Sequence, residues 1–190
     1  GAEPDEQEVR RFDTCLILHA DHELNASAFS ARVTSSTLSG IYSSVMAAIG
    51  TLKGPLHGGA NEQVARMLLE IKSPDRLEAW LEAALASGEK IMGFGHRVYK
   101  EGDPRAKILK AMSREITREV GHPEMYEMSA RLEELMGQRK GLICNVDFYS
   151  ASVYHSMGIP IDLFTPVFAT SRVAGWCAHV LEQYQNNRIY

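Results

Sequence analysis

Disulfide chemistry has little to work with in this sequence. Three cysteines stand among 190 residues, Cys15, Cys144 and Cys177, widely spaced and odd in number. They form no disulfide framework and no CxxC metal knuckle, so a reducing cytosol is the simple expectation and a small buried hydrophobe the ordinary role. Long apolar runs are also missing. None approaches the ~18 residues needed to cross a bilayer, and no secretory leader opens the sequence, so no membrane partner is expected. There is no excess of positive charge: 20 Lys and Arg stand against 24 Asp and Glu, a net charge of −4. That balance argues against nucleic acid as the main partner, since a phosphate backbone calls for a basic face. Sustained period-two alternation, internal repeats and low-complexity tracts are absent as well, which leaves strands with little support.

The residues that are present repeat at helical spacing. At 45% hydrophobic the chain can bury one sizeable core or two small ones. Residues 1–11 are polar and acidic and read as a solvated lead-in, and Phe12 to Leu18 is apolar enough to be strand or helix. Small and hydroxylated residues follow from Asn25, and their short side chains suit close helix packing; the faces between Asn25 and Ala48 are the expected subunit interface. Val64, Met67, Leu68 and Ile71 mark one apolar stripe; Leu77, Trp80, Leu81, Ala84 and Leu85 mark the next. Ser73-Pro74, Asp103-Pro104, His122-Pro123 and Thr165-Pro166 read as helix starts, and Gly88, Gly137, Gly141 and Gly158 as stops. Met125, Met128 and Met136 are expected in the core. The interleaved acids and bases of 105–118 suggest a solvated face. The fold class is all-α, with helices joined by short glycine or proline turns.

Five loop segments collect the side chains able to do chemistry: His19-Ala20-Asp21-His22, His57, the stretch from Gly93 to Arg105, Asp147 and Arg172. In Gly93-Phe94-Gly95-His96 two glycines permit a tight backbone path, and the histidine is the side chain that titrates near neutrality unaided. Arg105 falls in the first turn of the helix that Asp103-Pro104 starts. A proton donor and a fixed cation at one loop–helix junction suit an anionic substrate whose carbonyl must be protonated. Each residue also has an ordinary reading. His19 is expected to be packed and hydrogen-bonded, His57 to be a turn histidine, Asp147 to be an N-cap, and Arg172 to sit in a salt bridge.

The motifs themselves resemble those of citrate synthase in its bacterial form. His-Ala-Asp-His-Glu at 19–23, Gly-Pro-Leu-His-Gly-Gly-Ala-Asn-Glu at 54–62, Gly-Phe-Gly-His-Arg-Val-Tyr-Lys from 93 running to Asp-Pro-Arg at 103–105, Asn-Val-Asp-Phe-Tyr-Ser at 145–150 and Ser-Arg at 171–172 occur in family order across nearly the whole chain. The resemblance implies a Claisen-type condensation of acetyl-CoA with oxaloacetate and hydrolysis of the citryl-CoA formed. It places the base at Asp147, the donor that steadies the enol at His57 as neutral imidazole, and the acid for the oxaloacetate carbonyl at His96. A positioned base and a donor at the thioester oxygen are each worth a factor of ~10²–10⁴. Arg105 and Arg172, with His22, would hold the dianionic oxaloacetate, and Phe168 would lie beside it. Lys90, Ile91, Met92, Gly93 and Phe94 match the segment that grips coenzyme A, with Lys90, Arg97 and Lys100 able to add charge for its phosphates. No metal and no cofactor beyond the coenzyme A thioester substrate are implied. A cytoplasmic homodimer or larger assembly is.

The resemblance also implies two domains, with 58–152 as an inserted small domain between large-domain segments 1–57 and 153–190. It covers the C-terminal half of the family's chain, so a preceding helical half and a further arginine beyond Tyr190 are expected outside this sequence; Arg188 does not match that position. Without them the substrate clamp would be incomplete. Three other readings compete. 2-Methylcitrate synthase would use propionyl-CoA with the same acid–base set. A metal-dependent hydrolase could draw ligands from His19, Asp21, His22, His57, His96 and Asp147. A non-catalytic helical interaction module would bind no oxaloacetate.

Overall fold

The computed structural model describes residues 3–96, 99 and 102–190, and they divide into two compact units. The first unit is Gly1–Gly59 with Thr165–Tyr190, and the second is Ala60–Phe164. The boundary expected at 152 falls inside a helix, and the second unit runs on to Phe164. Among the described residues the regular structure is helical, as the sequence pattern indicated, apart from one isolated bridge described below.

The first unit contains α1 (Glu6–His19), α2 (Ala26–Ser36), α3 (Ile41–Leu52) and, apart from its first residue, α9 (Phe164–Gln185). The lead-in expected over residues 1–11 is helical from Glu6. Asp5 accepts from the N–H groups of Gln7 and Glu8, and Glu8 reaches back to the Asp5 N–H at 2.9 Å. This reciprocal cap satisfies donors that a helix start otherwise leaves to water. The small-residue faces expected to form an interface lie within the unit. Ala28 and Ala31 of α2 and Ala48 of α3 are fully buried together with Leu52, Phe168, Trp176 and Val180. Alanine lets the α2 and α3 backbones approach closely, so these faces are consumed in packing the hairpin. Tyr42, Met46 and Ile49 lie exposed on one side of α3.

The second unit contains α4 (Ala60–Ile71), α5 (Pro74–Ala86), α6 (Pro104–Glu119), α7 (Pro123–Lys140) and α8 (Val146–Ser156), followed by a single 3-10 turn (Ile161–Leu163) that leads into α9. Helix α8 is its centre: every residue from Val146 to Tyr154 except Asp147 is buried, and α4, α6 and α7 pack around it. An all-round buried helix needs its polar groups paired internally, and Ser152 meets Ser113 of α6 at 2.7 Å. Met125, Met128 and Met136 are core residues, as expected. Gly141 closes α7 in the left-handed conformation at φ 63°, where its N–H returns to Gly137 O at 3.0 Å. Helix α9 starts at Phe164, one residue before the Thr165-Pro166 expected to cap it, because the 3-10 turn feeds it directly.

Candidate active site

In the second unit three loops meet through two polar side chains. The loop 93–95 lies against 143–145 as an antiparallel bridge between Phe94 and Cys144, with Gly95 N donating to Ile143 O at 2.8 Å and Asn145 N to Gly93 O at 2.9 Å. Gly93 is required there. It sits at φ +83°, and a Cβ would stand 2.8 Å from Phe148 and from Val64. Asn145 then ties the loop to α8: its Nδ2 donates to Gly95 O at 3.0 Å and its Oδ1 accepts the Asp147 N–H at 3.1 Å. Asn145 is therefore the N-cap of α8, the role expected of Asp147, and Asp147 stands in the first turn where the helix field favours a carboxylate.

Asp103 is the second tie. Its Oδ1 accepts from Arg105 N and Nε at 3.0 and 2.9 Å, and its Oδ2 accepts from Arg105 Nη2 at 2.7 Å and from the Val146 N–H at 3.0 Å. One buried carboxylate thus caps α6, grips Arg105 as a fork and holds the start of α8. Burial pushes the Asp103 carboxyl up, but the Arg105 bonds and charge and the Val146 N–H outweigh it and hold it below the usual range. Arg105 Nη1 is buried and has no hydrogen-bond partner among the described residues. Asp103 was expected only to begin a helix, and Asn145 was given no role of its own. A capping residue type with a chemical side chain two residues on, Arg105 or Asp147, was the available signal at both places.

His96 receives the Tyr99 N–H on Nδ1 at 3.0 Å and stacks on the Tyr99 ring. A backbone N–H can only donate, so Nδ1 accepts and the ring proton sits on Nε2. Burial lowers the affinity of this ring for a second proton; Asp103 raises it and Arg105 lowers it, and the net direction is down. Of the segment expected to grip coenzyme A, Ile91 and Phe94 turn inward to the core, Phe94 packing on Phe148 at 4.6 Å, while Lys90 is exposed and Met92 half-buried. Side-chain contact with a ligand is thus closed to Ile91 and Phe94, leaving their backbone. Arg97 and Lys100 lie outside the described residues.

The first unit collects the other expected residues. His57 ends the turn 54–57, its N–H bonded to Gly54 O, and the following Gly58 passes so close to Leu52 that a Cβ would stand 2.7 Å from the Leu52 carbonyl oxygen. The His57 Nε2 lies 2.9 Å from Ser27 Oγ and receives the Ser27 N–H at 3.3 Å. That N–H belongs to the first turn of α2, so Nε2 accepts at a helix N-terminus and the proton sits on Nδ1. Burial, then the Arg172 charge, pushes the His57 pKa down to about 4, so the imidazole is neutral.

Helix α9 docks the end of α1 and the residues leading to His22. Ser171 Oγ donates to Leu16 O, Arg172 Nε to His19 O at 2.6 Å, and Gly175 N to Ala20 O at 3.2 Å, while His179 Nε2 meets Asp21 Oδ1 at 3.0 Å. A Cβ on Gly175 would lie 2.3 Å from the Ala20 oxygen. The buried Arg172 guanidinium stands 4.7 Å from the Phe168 ring centre, and His19 meets the same ring edge-on. His19 is packed and hydrogen-bonded, as expected, with Nδ1 at 2.8 Å from Cys15 O. His22 is half-buried. Among the described residues no group of three or more His, Cys, Asp or Glu is placed to hold a metal ion, and no helix is long and apolar enough to cross a membrane.

Each unit thus carries a neutral imidazole with one nitrogen committed to a backbone N–H and an arginine clamped from behind. The second unit adds a carboxylate. Such a set can remove a proton from carbon, donate to developing oxyanions and bind carboxylates. Comparison with known proteins points the same way. Residues 1–190 match the family model described as citrate synthase, C-terminal domain. The chain is 62% identical over 189 residues to citrate synthase 2 of Bacillus subtilis, covering 100% of this chain and 51% of the relative. It is 49% identical over 189 residues to the 2-methylcitrate synthase of Shewanella oneidensis, covering 100% of this chain and 50% of the relative. Among solved structures, the Thermoplasma acidophilum citrate synthase in ternary complex with carboxymethyl coenzyme A and oxaloacetate superposes with a TM-score of 0.94 at 41% identity, covering 100% of this chain and 52% of that one. The chain spans about half the length of the curated relatives it matches.

Proposed function

This chain belongs to the citrate synthase family, and from that premise we propose that it carries the acid–base and substrate-binding residues for condensing acetyl-CoA with oxaloacetate to citrate and free CoA. The observation that supports the reading best is the knot in the second unit, where Asp103 and Asn145 hold Arg105, the backbone of Gly95 next to His96, and the first turn of α8 with Asp147 in one hydrogen-bonded assembly.

In the proposed mechanism the Asp147 carboxylate removes a proton from the acetyl methyl. His57 donates from Nδ1 to the thioester oxygen as the enol forms; a neutral imidazole does this without leaving a strong acid behind. The enol carbon then attacks the ketone carbon of oxaloacetate, and His96 passes its Nε2 proton to the ketone oxygen as it becomes a hydroxyl; the ring regains a proton from solvent while Asp147 releases the one it removed, so ring and carboxylate return to their starting states. Water cleaves the resulting thioester. Arg105 and Arg172, with His22, bind the carboxylates, and Phe168 holds Arg172 in place. Coenzyme A is gripped along residues 90–94 by backbone groups. The reaction requires both sets of residues to act on one pair of substrates. It needs no metal and no cofactor beyond the thioester.

The reading extends to a cytoplasmic homodimer serving the tricarboxylic acid cycle. The exposed side of α3, Tyr42 with Met46 and Ile49, supports self-association, since contiguous apolar surface of this kind marks interfaces. Propionyl-CoA is the competing thioester, favoured by the Shewanella relative, and kcat/KM for the two acyl groups separates them. The test of the reaction itself is Asp147→Asn in the assembled enzyme. Turnover should fall by a factor of ~10²–10⁴ with oxaloacetate affinity, read by calorimetry, nearly intact. Equal loss of both would remove Asp147 from the role of base, and no oxaloacetate binding by the wild type would leave a non-catalytic helical module.

A further inference from the structure

Tyr99 meets His96 twice, once through its backbone and once through its ring. The backbone N–H reaches Nδ1 at 3.0 Å. That bond decides which nitrogen carries the proton. It does not fix the ring plane closely, because a hydrogen bond weakens steeply only below about 120° and so leaves the imidazole room to swing. The Tyr99 ring supplies the missing restraint. Its centre lies 4.6 Å from the centre of the imidazole with 34° between the planes, so the two rings are in contact. The Arg105 guanidinium carbon stands 6.0 Å from the same ring centre, at the outer edge of a cation–π contact. One side chain is therefore shared by a proton donor and a cation. The hydrogen bonds of Asp103 and Asn145 end on Arg105, on the Gly95 oxygen and on the start of α8, so neither residue sets the imidazole plane. The stacked ring also keeps water from part of His96. Burial is the largest cause lowering the affinity of His96 for a second proton, and Asp103 and Arg105 are the charges acting on it.

We propose that Tyr99 is a positioning residue: its ring fixes the plane of the His96 imidazole and sets it against the Arg105 guanidinium, so that donor and cation meet one substrate in register. The substrate class that this pairing fits is a keto acid, whose ketone oxygen takes the Nε2 proton while a carboxylate meets the guanidinium. An aliphatic side chain at position 99 would keep the backbone N–H, and with it the tautomer, but would offer no flat face to either group. The consequence for turnover rests on the condensation reading, in which His96 and Arg105 serve oxaloacetate. The hold of the ring on His96 does not rest on it, and can be measured on the folded chain.

Tyr99→Ala removes the ring and keeps the backbone N–H, whereas Tyr99→Phe keeps both. An NMR titration of the histidine rings in the folded chain reads the first consequence. The His96 midpoint should rise in Tyr99→Ala, because water reaches the part of the imidazole that the ring covered, and should stay at the wild-type value in Tyr99→Phe. In the assembled enzyme Tyr99→Ala should lower kcat/KM for oxaloacetate roughly three- to tenfold, the effect of losing one aromatic contact, and Tyr99→Phe should restore it. Exchange of acetyl-CoA methyl hydrogens under a saturating, unreactive oxaloacetate analogue should be unchanged, because the proposed mechanism assigns that step to Asp147 and His57. A merely structural role would lower both activities alike. An unmoved midpoint or an unchanged kcat/KM in Tyr99→Ala, a Tyr99→Phe variant that behaves like Tyr99→Ala, or equal loss of condensation and exchange overturns the proposal. If Tyr99→Ala does not fold, the wild type decides it: cross-relaxation between the His96 and Tyr99 ring protons is expected, and its absence overturns the proposal. A wild-type enzyme that performs no condensation would instead remove the reading on which the turnover effect rests, with the hold of the ring on His96 still decided by the midpoint.

Discussion

His57 and His96 are held by the same device turned to opposite ends of the ring. Each receives a backbone N–H, His57 on Nε2 from Ser27 and His96 on Nδ1 from Tyr99, so the first keeps its proton on Nδ1 and the second on Nε2. Their electrostatic settings differ. Around His57, burial and Arg172 act in the same direction and bring the pKa to about 4. Around His96, burial and Arg105 are partly opposed by Asp103, and the ring is lowered less completely. Both rings donate as neutral imidazoles, and the Asp103 carboxylate near His96 favours the return of a proton to that ring after it has given one up.

Three substitutions or conditions would break or sharpen this contrast. The largest effect is expected from Asp103→Ala, which uncaps α6, frees the Val146 N–H and strands the buried Arg105 charge. A loss of about 3–5 kcal/mol in urea unfolding is expected, the usual cost of removing one partner of a buried pair. A loss below 1 kcal/mol would show that Arg105 finds water instead. Next comes pH. The His57 pKa is lower in the folded chain than in the unfolded one, so the unfolded state binds the extra proton as pH falls. Stability should therefore be fully present above pH 6.5 and decline toward pH 4, by on the order of 3 kcal/mol from His57. His57→Gln should flatten that part of the profile, and His96→Gln should flatten it less. Third, Gly175→Ala drives a methyl into the Ala20 carbonyl and should shift the residues leading to His22, at a cost of roughly 1–3 kcal/mol. The same substitution at Gly88 has open space around it but a φ of +74°, so any loss there would report backbone strain alone.

Much of this was legible in the chain. Apolar stripes and the Pro and Gly punctuation located α4 through α8 because those helices are amphipathic or sharply capped. The first helix was missed because its opening turns are polar on every side, and only the Asp5–Glu8 spacing marked a cap. At the site, His57, His96, Asp147 and the arginines stood out as residue types in glycine-bounded loops. The residues that orient them did not. Asp103 looks like any N-cap until its second oxygen is seen on Val146, and Ser27 lies 30 residues from the His57 that it meets. Glu133 gave no signal at all. It receives Lys110 at 2.6 Å, the Tyr149 hydroxyl and the Cys144 thiol, drawing a lysine from the face expected to be solvated into a network on both flanks of Asp147. Contacts of this kind are set by tertiary packing, and periodicity does not encode them.

The division of labour between the two imidazoles is tested most directly by following exchange of acetyl-CoA methyl hydrogens with deuterated water in the assembled enzyme, with an unreactive oxaloacetate analogue bound. The account predicts that Asp147→Asn and His57→Gln lose exchange while His96→Gln keeps it, because the proposed mechanism assigns His96 to the other substrate. Equal loss in His57→Gln and His96→Gln, or exchange surviving Asp147→Asn, would contradict it.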